Sequence, residues 1–276
     1  MHNKSWMARL MATPHVVWSI LFILAPLAFV FYYAFTDKTG AFTLNNIKEL
    51  GSAGYLDIFT RSLCFALAAT AICLLVAYPL AYAISRAKPR SQKICIMLTM
   101  LPMWMNFLIR TYSIMAILED TGFLNSLLGR IGLPPLHIIN TGGAVIFGMV
   151  YNYLPYMVLP IYTVLSKLDN RLLEASADLG CTPMQTFFKV VMPLSRSGVV
   201  SGVTMVFVPS VSTFYISQKL GGGKFQLIGD VIERQFQSAY NYNLGAAMSL
   251  VLMVLILLSL AVMNRYSDEE EGGLVA

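Results

Sequence analysis

A chain of 276 residues with 57% hydrophobic and only 12% charged residues departs from the soluble norm, in which about 25% of residues are charged. Such a composition excludes an ordinary soluble enzyme and points to an integral membrane protein. The net charge of +5 is dispersed, and no basic cluster alternates with aromatics, so a nucleic-acid partner is excluded too.

A bilayer core of about 30 Å takes about 20 apolar residues as helix. Six segments meet that requirement, at 15–36, 62–85, 94–116, 143–165, 197–218 and 244–264. Lys4 and Arg9 precede the first segment, as in a secretory signal. Its apolar run is too long for one and lacks a small-residue cleavage site, so it reads as a retained anchor. Between the second and third segments lies RAKPRSQK (86–93), the strongest orientation cue in the chain, because cytoplasmic loops gather Lys and Arg. Placing both termini in the cytoplasm puts eleven basic residues inside and seven outside, with Arg110 within the third segment. The outer loops carry Pro134-Pro135, Gly142-Gly143 and Gly221-Gly222-Gly223 as turn signals, with room for short interfacial helices. The end SDEEEGGLVA has no apolar partner and reads as a solvated, disordered tail over 267–276. The four cysteines, Cys64, Cys73, Cys95 and Cys181, form no CxxC and read as small buried apolar residues.

The cytoplasmic stretch between segments four and five, within 166–196, is LLEASADLGCTPMQTFFKVVMP at 172–193. It spells two short helices. Asp169 or Asn170 caps the first, and Gly180 ends it in the left-handed conformation that helix ends favour. Thr182-Pro183-Met184-Gln185 is a capping box with proline at the first helical position. Pro193 is expected to close the second helix. Neither helix is long enough to stand alone in water. Leu172, Leu173, Met184, Phe187 and Phe188 give the pair apolar surface to pack with. Two readings stay open on physics alone: an amphipathic loop on the lipid surface, and a docking knob for a partner protein.

The same stretch resembles the "EAA" loop of ABC importer permeases. That pattern runs Glu-Ala-Ala, three residues, Gly, nine residues, then aliphatic-x-Leu-Pro. Here Glu174, Ala175 and Ser176 open it, Gly180 falls seventh, and Val190, Met192 and Pro193 end it. Ser176 for Ala and Met192 for Leu are mild departures. LPMWMNFLIRTY (101–112), FYISQKLGGGK (214–224) and LIGDVIERQF (227–236) are similar to the spermidine/putrescine permeases of the PotB type. The resemblance implies an all-α, six-helix permease of the MetI-like importer fold, in a single transmembrane domain over 1–276. It implies residence in a bacterial cytoplasmic membrane. It also implies a second, PotC-like permease, two ATPase subunits inside and a polyamine-binding protein outside. The ATPase groove would then hold the 172–193 knob through Glu174, Ala175, Asp178, Gly180, Pro183 and Pro193. The chain itself has no P-loop: Gly222-Gly223-Lys224 runs into Phe225. ATP and magnesium are therefore expected in another chain, with no cofactor in this one.

A solute path is sought near the bilayer midplane, where polar groups face protein or water. Counting about 1.5 Å per residue along continuous helices brings Trp104, Asn106, Tyr151, Asn152, Ser210, Thr213 and Tyr215 toward that depth. Pro102, Pro155, Pro160 and Pro209 each free a carbonyl, and ammonium groups suit free carbonyls and aromatic faces. The same count puts Arg110 near the outer interface, snorkelling or paired with Glu119 or Asp120. Arg110, in a structural or gating salt bridge, and Asp230 and Glu233 in the last outer loop are candidates for an outer gate or for docking the binding protein, against the reading that the two acids form a solvated face. An importer of the same fold for another solute, such as iron, an anion or an amino acid, is the alternative. A membrane enzyme finds no support, since His2, His15 and His137 lie at segment ends and loops and no carboxylate pair sits within a segment.

Overall fold

The structure, a computed structural model, describes residues 13–271. In chain order the helices are α1 (Thr13–Ala34), α2 (Asn45–Leu50), α3 (Ala53–Arg86), α4 (Pro89–Met100), α5 (Phe107–Leu118), α6 (Phe123–Arg130) and α7 (Gly142–Leu165). There follow α8 (Asn170–Asp178), α9 (Pro183–Leu194), α10 (Arg196–Val211), α11 (Tyr215–Leu220), α12 (Ile228–Gln237) and α13 (Tyr242–Glu271). Among the described residues, four helices are long and apolar enough to cross a bilayer, within α1, α3, α7 and α13. Two further apolar stretches qualify only as bent pairs.

One bend falls inside a segment expected to be continuous, and the other falls just before one. The 94–116 segment breaks after a 3₁₀ turn at Leu101–Trp104, and the two arms meet at 95°. Pro102 opens that turn, Met105 is extended (ψ 148), and the Asn106 side chain restarts a helix by accepting from the Leu108 amide at 2.8 Å. The 197–218 segment ends its helix at Val211, and α11 begins only at Tyr215. At its other end α10 meets α9 at 65°. Hydropathy sums are blind to direction, so neither bend registers in them. At the C-terminus, helix α13 continues through Glu271 where a disordered tail was expected. Lys4 and Arg9, and residues 272–276, lie outside the described residues.

The chain divides into two compact units, 1–57 with 231–255, and 58–230 with 256–276. The first unit is held at one corner by amide side chains. Asn46 Nδ2 donates to the carbonyls of Ala34 and Thr36, at 3.1 and 2.9 Å, and Asn243 Nδ2 donates to the Thr36 carbonyl at 2.7 Å. Beside them Asp37 accepts from the Thr39 hydroxyl and from the amides of Thr39 and Ala41, which holds its carboxyl below its usual range. Helix α1 has none of its apolar window buried within the chain. Its Trp18, Phe22 and Phe29 are exposed.

The second unit is built around α7, whose Met149, Met157, Ile161 and Leu165 are fully enclosed. Helix α10 packs along it through Gly198 and Gly202. A Cβ on Gly198 would lie 3.0 Å from the Pro160 carbonyl and 3.1 Å from the Ile161 Cα. The spacing Gly-xxx-Gly is the one that lets membrane helices approach closely. Helix α3 presents Ala66, Ala69, Cys73, Ala77 and Ala81 to the core at three- and four-residue spacing. Of the cysteines only Cys73 is buried. Cys64 is exposed, against expectation, because it lies off that small-residue stripe of α3.

Candidate functional site

The knob over 169–195 is a pair of capped helices. Asp169 is the residue that caps α8, accepting from the Arg171 amide at 3.0 Å. Gly180 follows at φ +79. Thr182 and Gln185 complete both halves of the capping box, with Gln185 donating to Thr182 Oγ1 at 3.3 Å and Thr182 donating to Gln185 Oε1 at 2.9 Å. Ser176, where the family pattern has Ala, is buried and lies 2.8 Å from the Thr186 hydroxyl, so it ties the two helices together. Pro193 lies in the last turn of the second helix, which ends one residue later at Leu194, and a π-turn at Phe187–Val191 precedes it.

The knob has an inner and an outer face. Leu173 and Phe187 pack against the core, whereas Leu172, Leu179, Met184 and Phe188 are exposed. Leu179 at the tip is 85% exposed and, with Leu172, Met184 and Phe188, leaves the knob with apolar surface that this chain does not cover. Glu174, Ala175, Asp178, Gly180 and Pro183 share this exposed part, and Pro193 is half-buried.

Three ties bind the knob to the end of α3, none of them foreseen. Tyr78 and Ser195 hydroxyls lie 2.6 Å apart in the interior. The Phe187 ring meets Tyr78 and Tyr82 edge-on, at 5.5 and 5.4 Å. Arg86 donates to Asn170 Oδ1 at 2.7 Å and lies over the Tyr82 ring. An apolar groove of about 620 Å³ runs alongside, between Leu74, Leu75 and Pro79 of α3 and Val199 and Val200 of α10.

The residues considered for a solute path do not form one lining. Trp104, at 75% exposure, and Asn106 and Tyr151 face outward from the chain. Asn152 and Ser210 are fully buried and hydrogen-bond within their own helices, to Gly148 and Val206 carbonyls. Thr213 is buried at the break after α10. Tyr215 joins an aromatic group with Phe107 and Tyr112.

Arg110 neither snorkels nor pairs with Glu119 or Asp120. The 95° bend turns it inward, where it is buried, donates to the Pro102 carbonyl at 3.0 Å and lies against Phe107. Asp120 pairs with His137 instead, at 2.7 Å. Asp230 does not lie on a solvated face. It is the third residue of α12 and reaches back to accept from the Leu227 amide at 2.7 Å and from Ser217 at 3.0 Å, in half of a capping box. Glu233 is half-buried on the same helix and is engaged within the chain.

The model of the binding-protein-dependent transport system inner membrane component matches residues 5–269. The chain belongs to this family. It is therefore a multi-pass membrane component of an importer rather than an enzyme. Its sequence is 39% identical to the spermidine/putrescine transport system permease protein PotB of Haemophilus influenzae, over 90% of each chain. It is 36% identical to PotB of Escherichia coli, over 91% of this chain and 94% of that one, and 32% identical to the Escherichia coli inner membrane ABC transporter permease protein YdcU. In three dimensions it matches a chain of a bacterial ABC transporter that imports the acidic polysaccharide alginate, with a TM-score of 0.78 and 16% identity over 97% of this chain. The importer-permease fold is thus shared across a wide gap in sequence.

Proposed function

We propose that this chain conducts polyamines, spermidine or putrescine, as one of two permease subunits of an ATP-driven importer. The observation that carries the reading is its identity of 36–39% to PotB permeases over nine-tenths of the chain. The second permease is PotC-like. Two ATPase subunits bind ATP and magnesium at the cytoplasmic side, where both termini of this chain also lie. An external binding protein delivers the polyamine. In this reading the ATPase groove takes the exposed part of the knob, with Leu179 and Met184 as its apolar contacts and Glu174 and Asp178 at its rim. ATPase closure then moves the knob, and α3 and α10 carry the displacement to the solute path.

The fold by itself does not choose the solute, since the alginate importer shares it. Reconstitution into liposomes with the cognate partner permease, ATPase and binding protein tests the proposal. ATP-dependent accumulation of labelled spermidine or putrescine is the expected result. ATP hydrolysis stimulated by another solute, with no polyamine uptake, would overturn the solute assignment and leave the permease role standing.

A further inference from the structure

Lys219 occupies an unusual position for a surface lysine. Its ammonium lies 5.3 Å from the Tyr112 ring centroid and 5.7 Å from that of Tyr215. Tyr215 stands one turn earlier on α11, so the two side chains share a face. Tyr112 comes from α5 and meets Tyr215 nearly perpendicularly, at 83° and 6.0 Å, while Phe107 backs Tyr215 at 6.0 Å. The group is a two-ring cradle for an ammonium, filled by the chain's own.

A more ordinary partner is close by. Lys219 lines a polar cavity of about 310 Å³ together with Glu119, Asp120 and Asn140. Asp120 is taken by His137. Glu119 has no ion-pair partner among the described residues. Lys219 shares this cavity wall with the Glu119 carboxylate, yet its ammonium sits on the rings and makes no ion pair among the described residues. The side chain thus has two alternative seats in one cavity wall.

We propose that the Tyr112–Tyr215 cradle is a binding site for a primary ammonium of the solute, and that Lys219 fills it only while the site is empty. An arriving alkylammonium displaces Lys219, whose own ammonium then turns to Glu119. The lysine keeps the aromatic faces covered without solute and lowers the solute's apparent affinity, so that release follows binding. The proposal rests on the polyamine reading and names a site and a competitor within it.

Binding of labelled spermidine to the assembled transporter in lipid nanodiscs, without the binding protein, is the direct measurement. Lys219→Met removes the competing charge and keeps the length of the side chain. It is expected to tighten binding by about five- to thirtyfold, the worth of two exposed cation–π contacts. Replacing both Tyr112 and Tyr215 by Leu is expected to weaken binding by a similar factor, and Lys219→Arg to stay near wild type. Binding by Lys219→Met that equals or falls below wild type, in a complex that assembles and hydrolyses ATP normally, overturns the competitor. Should Lys219→Met fail to assemble, Lys219→Gln reads the same charge removal. Absence of polyamine uptake by the wild-type complex would instead strike the functional reading beneath it.

Discussion

Replacement of Gly180 separates what the backbone needs from what a partner needs. The residue sits at φ +79, in the left-handed region, where an ordinary L-residue costs about 1–2 kcal/mol and Asn costs less. A Cβ built there meets nothing within 4 Å. Inside this chain, Ala, Leu and Trp therefore share the same backbone penalty, and the Cβ itself adds no clash. That penalty corresponds to about five- to thirtyfold in the population of the native turn. A further loss of uptake that grows with size, with the unfolding midpoint of the isolated chain unchanged from Ala to Trp, then points to a wall outside the chain. The assay is ATP-dependent uptake by the reconstituted complex, with ATPase co-purification measured on the same samples. Gly180→Asn is expected near wild type, Gly180→Ala modestly reduced, and Gly180→Leu and Gly180→Trp progressively abolished. Equal uptake by Ala, Leu and Trp would refute the wall. Undiminished uptake by all three with the ATPase bound would remove the knob from coupling altogether.

Two further substitutions probe packing. Gly198→Ala presses a methyl onto the Pro160 carbonyl and Ile161 Cα of α7, both backbone, and is expected to destabilise by about 1–3 kcal/mol, read as a lower unfolding midpoint in detergent. Gly202→Ala meets the Met157 Sδ at 2.8 Å, which can shift, and one tight backbone atom, the Met157 carbonyl at 3.1 Å, against two at Gly198, so it should cost less, and the reverse order would contradict the packing described. Asn152→Leu removes a fully buried amide whose Oδ1 has no partner, so stability should be kept within about 1 kcal/mol or improve, because deleting an unsatisfied group relieves its desolvation. Loss of uptake by this variant, with normal folding, would place Asn152 in the solute path instead of the helix core.

Local chemistry was legible in the sequence wherever a few adjacent residues settle it. The caps at Asp169 and Thr182 and the left-handed Gly180 follow from nearest-neighbour hydrogen bonding alone. Hydropathy found the apolar segments but assumed each to be one helix. Arg110 shows what that assumption costs: a count along an unbroken axis left it to snorkel or to pair with a carboxylate, and beyond the turn at Leu101–Trp104 it is buried against the Pro102 carbonyl. Asp230 was misjudged for a related reason, because its capping role appears only once α12 is known to begin at Ile228. The Tyr78–Ser195 contact joins residues 117 positions apart, and no local pattern announces it. Lys219 and Tyr215 do stand four residues apart, a spacing readable in advance, but Tyr112 reaches them only through the fold.

The ties at the knob also limit where the molecule can bend. A push at Gly180 would enter α8 and α9 together, because Ser176 and Thr186 join them. It would pass to α3 through Asn170–Arg86 and Phe187–Tyr82, and to the start of α10 through the buried Ser195–Tyr78 contact. Those parts would move as one body, since each tie is short and two of them sit in close-packed surroundings. Bending then falls to places where the helical hydrogen-bond ladder is already interrupted, the extended Met105–Asn106 link and the Ser212–Phe214 turn. The first leads into the helix that carries Tyr112, and the second opens the helix that carries Tyr215 and Lys219. Displacement of the knob would therefore change the relation between the two rings of the ammonium cradle before it changed anything within the α7 core.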